Sequence, residues 1–238
     1  MPRWLWILTS MMVPATTLLP AASSAATIGW ITMVDGSATL ARGKDRFVAA
    51  EGQRVRADDT IETAEGTQLL RIELDDGKTI DLGPATRITL RPRVGDRETH
   101  GGATLALAGG WVKVASPAGA PAALVSPSLD ALRVDGTTVI RAGRSESWMF
   151  VESGSVEAVS REGGRSSLRQ DLAEGDSFVV QPDGLGSVSW LASSKLLAQL
   201  PRAFVDTLPR RADRFAGRGD ELERDARRLP ARKTKVPS

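Results

Sequence analysis

Apolar and polar residues alternate along most of this chain, and this alternation is the feature that most limits how it can fold. Between Thr27 and about Leu191 a period of two recurs in short runs, whereas helical periodicity is hard to find. Glycine-containing turn dipeptides separate many of the runs. Because strand side chains point alternately to opposite faces, the pattern predicts many short strands, each with one buried face. We therefore predict an all-β domain.

The clearest predicted hairpin lies within Leu70–Leu82. Its register pairs Leu70 with Leu82, Arg71 with Asp81 and Ile72 with Ile80. A three-residue loop, Asp75–Gly77, is the length that places the apolar pairs on one face and the charged pair on the other. Gly77 is then expected in the left-handed conformation, which glycine adopts without a Cβ clash.

Further strands are predicted from the same alternation. They are Ile28 to Met33, Ser37 to Ala41, Thr60 to Thr63, Arg87 to Leu90, Gly110 to Ala115, Leu132 to Val134, Thr138 to Arg141, Trp148 to Glu152, Ser155 to Ser160 and Ser177 to Val180. Because glycine favours chain reversals between such runs, we predict structural turns at four positions. These positions are Gly36, Gly77, Gly136 and Gly154.

An internal echo suggests that the domain contains two similar layers. Gly36–Leu40 is followed by Ala49–Gly52, and Gly154–Ala158 is followed by Leu172–Gly175. Each copy therefore has a strand, a connection and a Glu-Gly turn, which predicts stacked β-layers. The second copy is longer, and its extra residues are assigned to a loop over Arg161–Ser167.

The first residues have the three parts of a secretory signal. Arg3 is followed by an apolar run, Trp4–Leu19, and then by Pro20 and the small residues of Ala21–Ala26. The apolar run of about 16 residues is shorter than the roughly 20 that span a bilayer, which disfavours an uncleaved anchor. We expect a signal peptide over residues 1–26, a periplasmic mature protein, and no transmembrane segment after cleavage.

The rest of the chain is divided by composition. We predict the β-domain over residues 27–191, a helical, arginine-rich tail over residues 192–229, and a disordered end over residues 230–238. Ser193 or Ser194 is expected to cap a helix that carries three leucines and ends at Pro201. A second helix is predicted over Asp220–Leu229, where Asp220 with Arg224 and Glu223 with Arg227 have ion-pair spacing.

The tail also repeats a Leu-Pro-Arg pattern that ends in phenylalanine, and this pattern has two interpretations. Its apolar residues could dock onto the β-domain and cover an open end of the sheet. Alternatively, arginine and phenylalanine could anchor a partner protein, an acidic surface or the cell wall. The candidate binding residues are Arg202, Phe204, Arg210, Arg211 and Phe215.

Residues suited to catalysis are scarce. The chain has no Cys, no Tyr and one His, His100, in a polar loop. The adjacent carboxylates Asp58–Asp59 and Asp75–Asp76 do not converge if extended, and the second pair fits a turn. We expect no enzyme activity, cofactor or metal site, although an envelope hydrolase stays an alternative. The basic pI of about 9.3 reflects arginines in the tail, so no nucleic-acid partner is expected.

Four tryptophans leave open a carbohydrate- or cell-wall-binding function. Trp30, Trp111, Trp148 and Trp190 fall on or beside predicted strands. A sugar-binding platform requires at least two of them exposed on one face, whereas a protein scaffold buries them in the core.

The order of several motifs completes the sequence interpretation. They are Gly36 with the following strand, Gly52, Asp59, Ile61, Thr63, Leu82–Thr86, Leu105–Val114, Val125–Pro127, Val134–Thr137 and Val151–Val156. Between roughly Gly29 and Phe178 this order resembles the FecR-type periplasmic domain family, which typically has Thr-Pro at the position of Ser126-Pro127. The resemblance implies a twisted, solenoid-like all-β fold that contacts other proteins.

We accordingly expect a stand-alone exported FecR-like domain rather than the transmembrane sigma-factor regulator of that family. Its expected role is a non-catalytic protein-interaction or regulatory module of the cell envelope. The partner, an envelope protein or complex, would bind a β-edge, the Arg161–Ser167 loop or the tail.

Overall fold

The computed structural model describes residues 27–91, 104–162, 165–181, 183–206, 208–215 and 217–229. Within these ranges sixteen β-strands join one sheet, and the few short helices lie near the C-terminus. The strands are β1 (Thr27–Asp35), β2 (Ala38–Arg42), β3 (Asp45–Val48), β4 (Arg54–Arg56), β5 (Thr60–Thr63), β6 (Leu69–Leu74), β7 (Thr79–Leu82), β8 (Arg87–Arg91), β9 (Thr104–Ser116), β10 (Ala122–Val125), β11 (Leu129–Ala142), β12 (Ser147–Glu162), β13 (Arg165–Ala173), β14 (Ser177–Val180), β15 (Gly186–Ser189) and β16 (Arg228–Leu229). The α-helices are α1 (Ser194–Leu197) and α2 (Gly219–Arg224), and 3₁₀ helices span Arg202–Phe204 and Ala212–Phe215.

The predicted all-β fold with a short helical tail is confirmed. None of the helices in these ranges has the length and hydropathy of a membrane span.

The sheet runs from β15 at one end to β16 at the other. Its path is β15-β14-β12-β11-β10-β9-β8-β5-β2-β3-β16, and β1, β4, β6, β7 and β13 join it as branches. The pairings are antiparallel except for β9 with β10. The inner faces of nearly all the strands meet in one apolar core.

Alternation explains which side chains enter this core. In β8, Ile88 and Leu90 are buried while Arg87 and Arg91 are exposed. β6 differs because all six of its residues are buried, including Arg71 and Glu73 on its polar face. A strand buried on both faces requires a second layer over its outer face, and the tail supplies that layer.

The predicted hairpin is confirmed in register and loop length. Leu70 pairs with Leu82, Arg71 with Asp81 and Ile72 with Ile80. Gly77 has φ +92° in the loop, as expected. Nε and Nη2 of Arg71 donate to the two carboxylate oxygens of Asp81, each at 2.7 Å. This bidentate pair is buried, so it also fixes the register of the two strands.

Two of the four predicted glycine turns are wrong. Gly36 and Gly77 lie in turns, but Gly136 and Gly154 face each other within the continuous strands β11 and β12. Their φ angles are +104° and +79°, and a Cβ on either would overlap the opposite backbone. The two glycines therefore allow an irregular, close crossing of long strands, which a turn signal alone does not distinguish from a chain reversal.

The internal echo corresponds to a shared turn. The Gly52 N–H donates to the Ile31 carbonyl at 2.8 Å, and the Gly175 N–H donates to the Val151 carbonyl at 2.9 Å. Both glycines have positive φ, +81° and +88°. The two Glu-Gly turns thus have similar conformations, and each docks on a strand, the first on β1 and the second on β12.

A third turn of the same kind could not be recognised from the Glu-Gly echo in the sequence because it lacks glycine. Asp58, with φ +67°, takes the glycine position and donates its N–H to the Leu90 carbonyl at 2.5 Å. The next residue, Asp59, accepts from the Arg56 N–H at 2.8 Å, which closes the turn.

The predicted loop Arg161–Ser167 is wrong over most of its length. β12 continues through Glu162 and β13 begins at Arg165, and these two residues pair. The Gly-, Ser- and Arg-rich composition of this segment is typical of a loop, but β12 and β13 extend into the segment from both sides. The sequence pattern also did not predict six of the strands, namely β3, β4, β10, β13, β15 and β16.

The tail is less helical than predicted. α1 has the expected cap, because the Ser193 side chain accepts from the Leu196 N–H at 3.3 Å, but it ends at Leu197, before Pro201. α2 ends at Arg224, and Arg228–Leu229 forms β16 instead of a last helical turn. Tertiary pairing with β3 thus overrides helical spacing in this segment.

Candidate protein-binding surface

The tail crosses the outer face of the sheet and packs on it. A second apolar cluster contains Leu69, Val139 and Trp148 from strands and Leu196 and Phe204 from the tail. Phe204 is only 1% exposed. This arrangement matches the first interpretation of the tail, in which the tail docks onto its own domain.

Glu73 is the polar centre of this docking. Its side chain is fully buried, and one carboxylate oxygen accepts from Thr32 Oγ1 at 2.9 Å and from the Arg211 N–H at 2.7 Å. The other oxygen accepts from the Ala212 N–H at 3.1 Å and from Nε of Arg210 at 3.3 Å. The carboxylate thereby satisfies backbone donors where the 3₁₀ helix Ala212–Phe215 begins.

The environment of Glu73 favours its ionised form. Burial by itself raises the pKa of this carboxyl. Hydrogen bonds from the Arg211 and Ala212 N–H groups and from the side chains of Thr32 and Arg210 together outweigh that effect and hold the pKa of Glu73 below its ordinary value. The docked tail and the ionised carboxylate consequently stabilise each other.

The stabilising effect of Glu73 is expected to decline at acid pH. Because its folded-state pKa is lowered, its contribution is present above the ordinary value of 4.5 and is lost as the pH falls through the folded value. The difference in free energy of unfolding between the protein and Glu73→Gln should shrink from about pH 6 to about pH 3. Urea titrations at several pH values measure it, and a difference independent of pH would contradict the assignment.

The other predicted tail residues have distinct surroundings. Phe215 stacks on Trp30, with ring centroids 6.2 Å apart. Arg210 also donates to the Gly77 carbonyl at 2.9 Å, so the tail contacts the tip of the predicted hairpin. Arg202 is exposed on its 3₁₀ helix. The structure thus brings Arg210, Arg211 and Phe215 onto the domain surface rather than into one free-standing site.

The arrangement of tryptophans does not match a sugar-binding platform. Trp30 and Trp148 are buried, and Trp111 packs edge-on against Trp148 at 5.0 Å between centroids. Of the four tryptophans considered, Trp190 is the exposed one. A platform needs at least two exposed on one face, and here three are covered by packing.

The candidate catalytic groups have structural partners. Asp59 accepts two hydrogen bonds from Arg42, at 2.9 and 2.8 Å, and Asp76 accepts from the Lys78 N–H in its turn. His100 lies outside the described residues. Among the residues that are described, no cluster of His, Asp and Glu side chains could hold a metal ion.

A polar cleft of 460 Å³ lies between the tail and the sheet. Its charged groups are largely paired across the strands. Arg71 binds Asp81, and Lys113 binds Glu152 at 2.7 Å and the Phe204 carbonyl at 2.5 Å. These contacts attach the tail to the sheet, so the cleft is part of the docking of the tail.

The exposed large apolar side chains of the described residues are confined to one stretch of chain. Leu185, Trp190 and Leu191 are 67%, 68% and 79% exposed, and Leu197 and Val205 follow in the tail. The first three flank β15. Elsewhere in the described ranges, large apolar side chains are buried or partly buried.

β15 lies at the end of the sheet. It pairs with β14 along one side, and within the described residues no strand pairs with its other side. Val188 packs inward against the core, while Ser187 and Ser189 are exposed. An open edge presents backbone N–H and C=O groups to a further strand. The open edge and its apolar flanks together form what we call the β15 surface: Leu185–Leu191.

Comparison with known proteins adds little beyond the fold. No protein-family model matches the chain, and no curated protein matches it. Two crystal structures named "putative anti-sigma factor", from Parabacteroides distasonis ATCC 8503, are similar in structure, both at 16% sequence identity. The TM-scores are 0.48 and 0.46, and each match covers 58% of this chain. The matches span 62% and 63% of those chains, which is less than two thirds of their length.

Proposed function

We propose that this protein is an exported, non-catalytic interaction module of the cell envelope that binds a partner protein at the β15 surface. The observation that carries the proposal is the exposure of Leu185, Trp190 and Leu191 beside an open sheet edge. A partner strand could pair with β15 while its side chains bury these apolar groups. Tryptophan is a frequent anchor of such interfaces because it buries a large area.

Export is proposed from the first 26 residues. A basic start, an apolar run and small residues near Ala25 form the pattern of a cleavable signal. The resemblance to FecR-type periplasmic domains supports a regulatory role with an envelope protein as partner.

Site-specific crosslinking in intact cells tests this function. A photoreactive residue replacing Trp190 should capture a discrete partner from the envelope fraction, because the side chain is exposed at the proposed interface. The matched control replaces Glu65, which is also exposed but lies in the turn between β5 and β6. Equal capture from both positions, or none from either, would contradict the proposed surface.

Substitution of the apolar flanks gives a second measurement. The double variant Trp190→Ser, Leu191→Ser should weaken binding of the identified partner by more than about tenfold, since anchors of this type contribute about 2 kcal/mol or more. Its folded stability should be nearly unchanged, because both side chains are exposed. Cleavage of a glycan or peptide by the mature protein, without partner capture, would instead support an envelope hydrolase.

A further inference from the structure

The opposite end of the sheet is covered by the chain's own tail. β16 pairs with β3, where Arg228 lies opposite Phe47 and Leu229 opposite Arg46. The Val48 N–H donates to the Arg227 carbonyl at 2.9 Å and continues this pairing. Residues 217–229, here called the distal tail, therefore bind β3 by the strand addition that peptide ligands use.

A carboxylate clamp fixes the distal tail beside β3. Oε1 of Glu223 accepts from Nη1 of Arg42 at 2.6 Å and from Nη2 of Arg56 at 2.5 Å. The buried carboxylate of Asp59 holds the Arg42 guanidinium in place through two further hydrogen bonds. The clamp is thus organised by the domain itself and presents two positive charges to one carboxylate.

The third interaction between the tail and this end of the sheet, after the strand pairing and the carboxylate clamp, is an apolar contact. Leu222 and Phe215 pack over the backbone of Gly52 so closely that a Cβ there would overlap both side chains. The β3 groove, which consists of Arg42, Phe47, Gly52 and Arg56, therefore recognises three features of its ligand. They are an apolar side chain, an adjacent carboxylate, and a short strand that begins five residues after the carboxylate.

The distal tail is held less firmly than the earlier part of the tail. Leu196 and Phe204 are buried, whereas the distal residues whose exposure is described are half-buried or exposed. Its main polar contacts are ion pairs with partly exposed arginines, and salt screens such pairs. Gly217 begins the segment, with φ +84° and nothing within 4 Å of the position that a Cβ would take. This construction permits the distal tail to leave while the core stays folded.

We propose that the β3 groove is a second peptide-binding site, that the distal tail is its resident ligand, and that it accepts a glutamate-bearing, strand-forming segment of a partner protein. The partner segment replaces the distal tail by supplying the same carboxylate and the same strand. Because the tail is tethered, its effective concentration is on the order of millimolar, so it excludes weak competitors. This site is separate from the β15 surface and does not depend on it.

Peptide binding to the full-length chain tests the proposal. The probe is a fluorescent synthetic peptide with the sequence of residues 217–229. The double variant Leu222→Ala, Glu223→Gln weakens the resident tail, and we expect it to bind the probe more than about tenfold more tightly than the unmodified chain does. Adding Arg56→Ala to this variant should remove most of the gain. Adding Arg144→Ala, which removes an exposed arginine in the connection between β11 and β12, should leave the gain intact.

Two results would overturn the proposal. One is equal, weak binding of the probe by the unmodified chain and the double variant. The other is a dimer of the double variant in light scattering that the probe does not dissociate, because a second copy would then occupy the groove. Hydrogen exchange on the unmodified chain is an independent measurement that requires no substitution. Raising the salt concentration should speed exchange in residues 217–229 and not in β6, and uniform exchange would contradict a separable ligand.

Discussion

Replacing Glu73 with glutamine is expected to lower the free energy of unfolding by about 2–4 kcal/mol. The carboxylate accepts four hydrogen bonds in a site from which water is excluded, and two of the donors are backbone N–H groups of Arg211 and Ala212. Glutamine removes the negative charge, and its amide nitrogen turns a donor toward donors that already point at the site. The variant should therefore lose both the ion pair with Arg210 and the anchoring of the tail at Ala212.

Urea denaturation measures the loss, and hydrogen exchange locates it in residues 208–215. The matched control is Glu62→Gln, which removes a partly exposed carboxylate that pairs with Arg46 and Arg87. Surface pairs of this kind contribute about 0–1 kcal/mol, so the control should be close to neutral. If both variants lost the same stability, Glu73 would not be the anchor of the tail.

The hairpin around Gly77 shows what local sequence can predict. Its register follows from the requirement that Ile72 and Ile80 share a face, and its loop follows from one glycine after two aspartates. Both determinants lie within about a dozen neighbouring residues. The same reasoning placed Arg71 and Asp81 on the outer face correctly.

The surroundings of that outer face could not be predicted in the same way. Alternation assigns Glu73 to the polar side of β6, which for an isolated sheet means solvent. Its burial arises because residues more than 130 positions later, Arg210 to Ala212, dock on it. No local pattern encodes that contact. A weak indication was the repeated phenylalanine of the tail, since Phe204 and Phe215 required an apolar surface to cover them.

The β15 surface could not be predicted for a related reason. Trp190 falls beside a predicted strand, as Trp30, Trp111 and Trp148 do, and large aromatic residues near strands are usually buried. Gly186, Ser187 and Ser189 around it leave few apolar neighbours that could cover the indole. That small-residue composition was the available sign that Trp190 lies on an open end of the sheet.

A second large effect is expected from Gly154→Ala, which should destabilise the protein by about 3 kcal/mol or more. The residue has φ +79°, a conformation that disfavours any side chain. In addition, a Cβ at this position would overlap the carbonyl oxygen of Asp135 across the strand pair. Relief requires β11 and β12 to separate where Gly136 faces Gly154, and these long strands join the two ends of the sheet.

Gly119→Ala separates the two causes. Gly119 has nearly the same angle, φ +78°, but nothing lies within 4 Å of the position that its Cβ would take. Alanine there should cost only the backbone strain, about 1 kcal/mol. The difference between the variants in urea denaturation therefore measures the close crossing of β11 and β12 alone. Equal losses would mean that backbone conformation, and not strand contact, requires glycine at position 154. A much larger loss for Gly154→Ala would show that the close crossing of the two long strands requires a residue without a Cβ at this position.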